Sequence, residues 1–199
     1  MKENPSRSLP GIPVLLLLLV AICMGAYLIA SITEDGSAGW IVGIAIVVIG
    51  MFLMFGLYKV EPNQAAVLDL FGKYVGTVKD NGLRWNSPFY GKKKVSLRVR
   101  NFESSKLKVN ELDGSPIEIA AVIVWQVVDS AEAVYNVDDY ESFVHIQSES
   151  AVRTMATSYP YDQHEEGQIA LRSHAAEVSQ HLRDELADRL ADAGVQVID

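Results

Sequence analysis

An α+β domain carried behind two membrane-crossing helices is the fold class this sequence predicts, and three observations predict it. Two long uncharged runs stand near the start of the chain, strand-type alternation fills Ala66 to Val128, and helical spacing takes over after Asp129. Strands first and helices after them describe a mostly antiparallel sheet covered by helices.

Ile12 to Thr33 holds no charged residue. At about 1.5 Å per residue its 22 residues extend about 33 Å, against a hydrocarbon core of about 30 Å. Gly39 to Tyr58 repeats the pattern over about 30 Å, with Trp40 near one end and Tyr58 at the other, the positions where amphipathic rings favour the headgroup level. The connection 34–38 is polar and short, so the two helices are expected to be antiparallel neighbours. Gly39 and Gly43 have the small-xxx-small spacing that lets helices approach closely. The rival reading of the first run is a cleaved signal peptide. That run exceeds the ~7 to 15 residues of a signal's apolar region, and Ala30-Ser31-Ile32 is a poor cleavage site.

Lys2 and Arg7 flank the first run, Lys59 follows the second, and the connection has no Lys or Arg. The positive-inside rule then puts both termini in the cytoplasm. The expected organisation is a cytoplasmic tail at 1–11, spans at 12–33 and 39–58, a non-cytoplasmic loop at 34–38 and a cytoplasmic domain at 59–199, in a two-span protein of the cell membrane. Cys23, the single cysteine, lies inside the first run, so no intramolecular disulfide supports the fold.

In the soluble part Ala66 to Phe71 alternates as a strand ending at Gly72-Lys73, and Tyr74 to Val78 ends in a turn containing Asn81-Gly82. Leu83 to Trp85 and Lys94 to Arg100 continue the extended pattern. Leu107 and Val109, Asp113-Gly114, and Ile117 to Val128 form the strongest hairpin signal, the last run being a central strand around Trp125. Helices are expected at Ser130 to Val134, at Tyr140 to Ser158 capped by Asp138 or Asp139 and ended by Pro160, and at Ile169 to Ala193 with Gly194 beyond it. Val195 to Asp199 opens another strand, which suggests that the polypeptide continues.

Charge is partitioned. Residues 59–108 hold eleven basic and four acidic side chains, whereas residues 109–199 hold four basic and eighteen acidic ones. Anionic lipid attracts basic residues near its surface by roughly 1 kcal/mol each. The expected membrane-surface contacts are Lys92, Lys93 and Lys94 with Lys59; the plainer alternative is that the three lysines only solubilise the loop after Pro88-Phe89-Tyr90-Gly91. A net acidic domain held at a membrane is a poor nucleic-acid partner.

Catalytic signals are weak. Ser105 and Lys108 fit a Ser-x-x-Lys spacing, but on a strand-like segment and without the partner motifs of acyl-transfer enzymes. His174 and His181 lie seven apart on one helix, about 10 Å, too far for one metal ion. His145 and His164 read as surface residues, and Glu165-Glu166 as a solvated face. There is no Gly-x-Ser-x-Gly, His-Glu-x-x-His or Walker loop. No catalytic residue, cofactor or metal is assigned.

Val60-Glu61-Pro62-Asn63-Gln64-Ala65 directly after an apolar run, Phe71-Gly72-Lys73-Tyr74, Gly82-Leu83 before Pro88-Phe89, Ile117 to Asp129, Ser150-Ala151-Val152-Arg153 and Leu182 to Val197 occur in an order that resembles the SPFH or band 7 domain of stomatins, prohibitins and flotillins. The two-span arrangement resembles a bacterial branch. The chain departs from many relatives at Asn110 to Gly114, where they carry Thr-x-Asp, and in the loop from Tyr159 to Gly167. The resemblance implies an α+β SPFH domain, large homo-oligomers at the membrane, a helical segment beyond residue 199, and a non-enzymatic scaffold that organises lipids or membrane proteins. The alternatives are an adaptor regulating a membrane protease and, from another class, a membrane-anchored hydrolase.

Overall fold

The computed structural model describes residues 2–32, 39–163 and 169–199; the connection 34–38, His164 and Glu165-Glu166 lie outside the described residues. The chain divides into two compact units, Asn4–Ser96 and Leu97–Asp199, the latter taking in the first residues of the chain. Both combine helices with antiparallel strands, the α+β class that the sequence predicts.

In the Asn4–Ser96 unit, strand β1 (Leu9–Pro10) runs directly into α1 (Gly11–Ile32), and α2 (Gly39–Met54) leads after two residues into β2 (Leu57–Val60). By length and composition α1 can cross a membrane; α2, equally free of charge, is a shorter apolar helix of 16 residues. The helices pack side by side and antiparallel. A Cβ on Gly43 would stand 2.8 Å from the Gly25 carbonyl oxygen, and one on Gly50 would meet Ile22 at 2.7 Å, so the backbones touch where side chains are missing. Their outer faces leave Leu16, Leu17, Tyr27, Ile41, Val48 and Met51 exposed.

After β2 the chain runs up and down through β3 (Gln64–Leu70), β4 (Lys73–Val78), β5 (Gly82–Trp85) and β6 (Tyr90–Ser96). β3 lies between β4 and β6, and β5 lies between β1 and β2, every pairing being antiparallel. Tyr58, Val60, Ala66, Leu68 and Val78 form a core with Tyr90 packed against it.

One boundary differs from the sequence expectation. The second apolar run was expected to be helical through Tyr58, yet α2 ends at Met54 and Tyr58 pairs with Arg84 in a sheet. Phe55 N–H donates to Phe52 O and Gly56 N–H to Leu53 O, the tight last turn that closes a helix. No charge marks the boundary, because Tyr58 turns into the core of the unit while Leu57 is half-buried opposite Trp85.

The second unit contains β7 (Arg100–Glu103), β8 (Leu107–Asn110), β9 (Pro116–Ile119) and β10 (Val122–Val127), followed by α3 (Ser130–Tyr135), α4 (Tyr140–Ser158), α5 (Ala175–Leu190) and β11 (Val195–Val197). β10 is central, between β7 and β11, as expected for the run containing Trp125. The run Ile117 to Val128 is nevertheless two strands. It breaks at Ala120-Ala121, where Ala121 N–H donates to Ser104 Oγ at 2.9 Å, so β8 and β9 make their own hairpin about Gly114. Asp129 caps α3 and Asp139 caps α4, both accepting N–H bonds of the first turn. α5 begins later than the expected Ile169. Gly194 closes the last turn at φ 64°, and both Val128 and Asp129 donate to its carbonyl; a Cβ there would meet Asp129 O at 2.2 Å. Behind the sheet Ile123, Trp125, Val144, Val152, Leu186 and Leu190 are buried.

Candidate membrane-facing site

Both apolar helices are rooted in one small sheet. α1 leaves from β1, α2 enters β2, and β5 pairs with each, Leu9 and Leu57 both lying opposite Trp85. At the start of α1 a Cβ on Gly11 would meet Leu83 at 2.6 Å, so helix and strand are in backbone contact.

The end of α2 is held by side chains from the same unit. Carbonyls at a helix terminus keep spare acceptor capacity, and two here use it, Leu53 O, which also accepts from Gly56 N–H, and Phe55 O just past the helix. Trp85 donates its indole N–H to Leu53 O at 2.8 Å, and Lys92 donates Nζ–H to Phe55 O at 3.1 Å. A cation in that place also complements the negative end of the helix dipole. Gly56 allows the fit, since a Cβ would stand 2.3 Å from Asn86 O and 2.5 Å from the Trp85 ring nitrogen. Phe52 and Phe89 pack with ring centroids 5.4 Å apart.

The register of β3 on β6 sets Leu70 opposite Tyr90, so the turn at Phe71 and the segment ending at Phe89 lie at one end of the sheet. That end lies beside the close of α2, where Phe89 packs on Phe52 and Lys92 reaches Phe55 O. Phe71 is 88% exposed, Phe55 75% and Phe89 59%. Phe71 also has φ 49°, a left-handed conformation that a bulky residue avoids. The two-residue hairpin turn Phe71-Gly72 imposes positive φ at both positions, and its own fold leaves the Phe71 ring uncovered.

Of the residues singled out from the sequence, Lys92 lies 5.4 Å above the Tyr58 ring as well as on the helix end. Partial burial lowers its pKa from the ordinary lysine value. Lys93 and Lys94 are exposed, and strand alternation turns Lys93 to the face opposite Lys92 and Lys94. Lys59 is exposed and ion-paired with Glu61 at 3.1 Å. Trp40 is exposed in the first turn of α2. Tyr58 is buried; its hydroxyl donates to Asn86 Oδ1 at 3.2 Å, and burial pushes its pKa up to about 12. Trp85, Phe55, Phe71 and Phe89, which the sequence reading did not select, form the root and its apolar rim. The sequence signal was a phenylalanine beside a turn residue at each place, Phe71-Gly72 and Pro88-Phe89.

Elsewhere the polar candidates have structural employment. Ser105 donates its hydroxyl to Glu149 at 2.8 Å, and Lys108 is 3.4 Å from Glu118. His145 stacks on Phe102, His181 bonds the Tyr159 hydroxyl at 2.7 Å, and His174 begins α5. Among the described residues no three His, Cys, Asp or Glu side chains converge as metal ligands would.

Comparison with known proteins supplies the kinship. An uncharacterized protein of Methanothermobacter thermautotrophicus (strain Delta H) is 27% identical over 161 residues, covering 80% of this chain and 50% of the relative, so the chain spans about half the length of the curated protein it matches. The family model for the SPFH domain / Band 7 family matches residues 58–199, which begins at β2 and takes in every strand and helix after it. The chain belongs to the SPFH domain / Band 7 family.

Proposed function

We propose that the chain is a non-enzymatic scaffold of the cell membrane: α1 and α2 both span, the domain lies at the cytoplasmic face, and copies assemble into large homo-oligomers that organise lipids or membrane proteins. The observation that carries this reading is the apolar rim of Phe55, Phe71 and Phe89, at the end of the β3–β6 pair that lies beside the close of the uncharged helix α2. Burying each ring is worth about 2 kcal/mol, and water offers nothing in return.

Support for the second span comes from its packing. α2 lies against α1 while Ile41, Val48, Ile49 and Met51 face outward, so the apolar layer that receives α1 must receive α2 as well. At about 24 Å it is shorter than a hydrocarbon core of about 30 Å, a mismatch that local thinning absorbs at fractions of a kcal/mol per Å. Lys2, Arg7 and Lys59 near the helix ends support the cytoplasmic orientation. In this reading Trp40 sits at the far interface, while Lys59, Lys92, Lys93 and Lys94 lie near the inner headgroups. Each domain then holds the surface through a few modest contacts, and assembly multiplies them into one avid attachment.

The test is the size of the full chain in mild detergent by native mass spectrometry and electron microscopy. A closed homo-oligomer of many copies is expected; a strict monomer across the accessible concentration range removes the scaffold.

A further inference from the structure

A cleft of about 480 Å³ opens beside β1 in the Asn4–Ser96 unit, lined in part by Ser6, Arg7, Ser8, Asn86, Ser87 and Tyr90. The volume lies in the ~300 to 1,000 Å³ range of small-ligand sites. Its polar groups are unbalanced towards donors. Arg7 makes no ion pair or hydrogen bond among the described residues. Asn86 is 7% exposed; its side-chain oxygen accepts from Tyr58 and its backbone N–H goes to Gly56 O, while its amide N–H pair, which makes no protein hydrogen bond among the described residues, keeps access to solvent. The Ser8 hydroxyl is buried and makes no hydrogen bond of good geometry, although it is close enough to Tyr58 to favour the ionised phenol slightly. Asp80, also in the wall, is 3.5 Å from Arg84 and so is already offset.

A buried donor without an acceptor costs about 1 to 3 kcal/mol, so the Ser8 hydroxyl, with the open Asn86 amide and Arg7 beside it, favours an acceptor-rich anion. A guanidinium beside hydroxyl and amide donors matches the oxygens of a phosphate. The place in the fold says which phosphate. Ser8 stands three residues before Gly11, about 10 Å of extended chain from the first turn of α1, and Asn86 and Ser87 lead into the exposed Phe89. The cleft therefore opens at or just beyond the headgroup layer, which is about 5 to 7 Å thick on each side of the hydrocarbon.

We propose that this cleft seats the phosphate of an anionic lipid headgroup, with Arg7 supplying the charge, Ser8 a buried hydroxyl donor and Asn86 an amide open to the cleft. The assignment rests on the membrane reading above. The experiment is native mass spectrometry of the full chain in neutral detergent, titrated separately with dioctanoyl phosphatidylglycerol, dioctanoyl phosphatidylcholine and inorganic phosphate. One saturable phosphatidylglycerol adduct is expected, at least tenfold weaker in Arg7→Gln and about threefold weaker in Ser8→Ala, with phosphatidylcholine well below it. Arg7 is exposed and Ser8→Ala removes one oxygen, so both variants should keep the wild-type thermal midpoint; if Arg7→Gln does not, Ser8→Ala decides. Undiminished adducts in the folded variants, equal binding of phosphatidylcholine, or inorganic phosphate binding as tightly as the lipid would each overturn the site. Carbonate extraction of membranes carrying the wild-type chain reads the membrane reading separately, since release of the chain sinks that reading whatever the adducts show.

Discussion

Two carboxylates show how single residues act in the Leu97–Asp199 unit, Asp139 by capping α4 and Glu149 by tying the middle of α4 to Ser105. Asp139 accepts from the Ser142 hydroxyl at 2.6 Å and from Glu141 N–H at 3.0 Å, and these bonds, that of Ser142 foremost, hold its carboxyl below its ordinary pKa of 3.8. Glu149 is lowered likewise, chiefly by the Ser105 hydroxyl. A carboxylate whose pKa falls on folding contributes its stabilisation fully above the unfolded value and loses it as pH drops through the folded one. Asp139→Ala should therefore lower the thermal midpoint at pH 7 by a few degrees. The gap from wild type should narrow as both are taken below pH 4. Thermal scans of the detergent-solubilised chain from pH 7 to pH 3 measure it, and a gap that stays constant would mean that the cap does not act through its charge.

Among the elements, α4 was the most legible. An aspartate before Tyr140 and a proline at 160 bracket it, and cap chemistry is local enough to read from adjacent letters. The end of α2 was not legible, because no charged residue stands between Met54 and Lys59 and an uncharged run does not tell a residue facing lipid from one facing a core. The rim was hidden for another reason: Phe71 and Phe89 stand far apart in sequence and meet only through the pairing of Leu70 with Tyr90. The helix pair falls between these cases. Small-residue spacing flagged Gly43, but its partners, Gly25 and Ile29, are set by the antiparallel crossing. Gly43→Leu should force α1 and α2 apart, with overpacking costs of about 1 to 3 kcal/mol. Thermal unfolding in detergent, followed by circular dichroism, should register a lower midpoint; an unchanged one would show that the backbones need no such approach.

At the scale of the whole molecule, the question is which end of the Asn4–Ser96 unit meets the membrane. β3 begins beside the end of β6 at Ser96 and finishes beside Tyr90, so its two ends are about 20 Å apart at 3.3 Å per residue. Asn63 precedes the first end and Phe71 follows the second. Replacing Cys23 with serine leaves a chain without thiols, into which a single cysteine can be placed at either position. A bimane label at Phe71→Cys should be quenched strongly by lipids spin-labelled near the headgroup, and one at Asn63→Cys only weakly, because ~20 Å exceeds the ~5 to 7 Å headgroup layer. Both thiols should react with an impermeant maleimide only after the cells are opened. Equal quenching at the two sites would detach the apolar rim from the bilayer, and labelling in intact cells would reverse the orientation on which the lysine contacts and the phosphate cleft both depend.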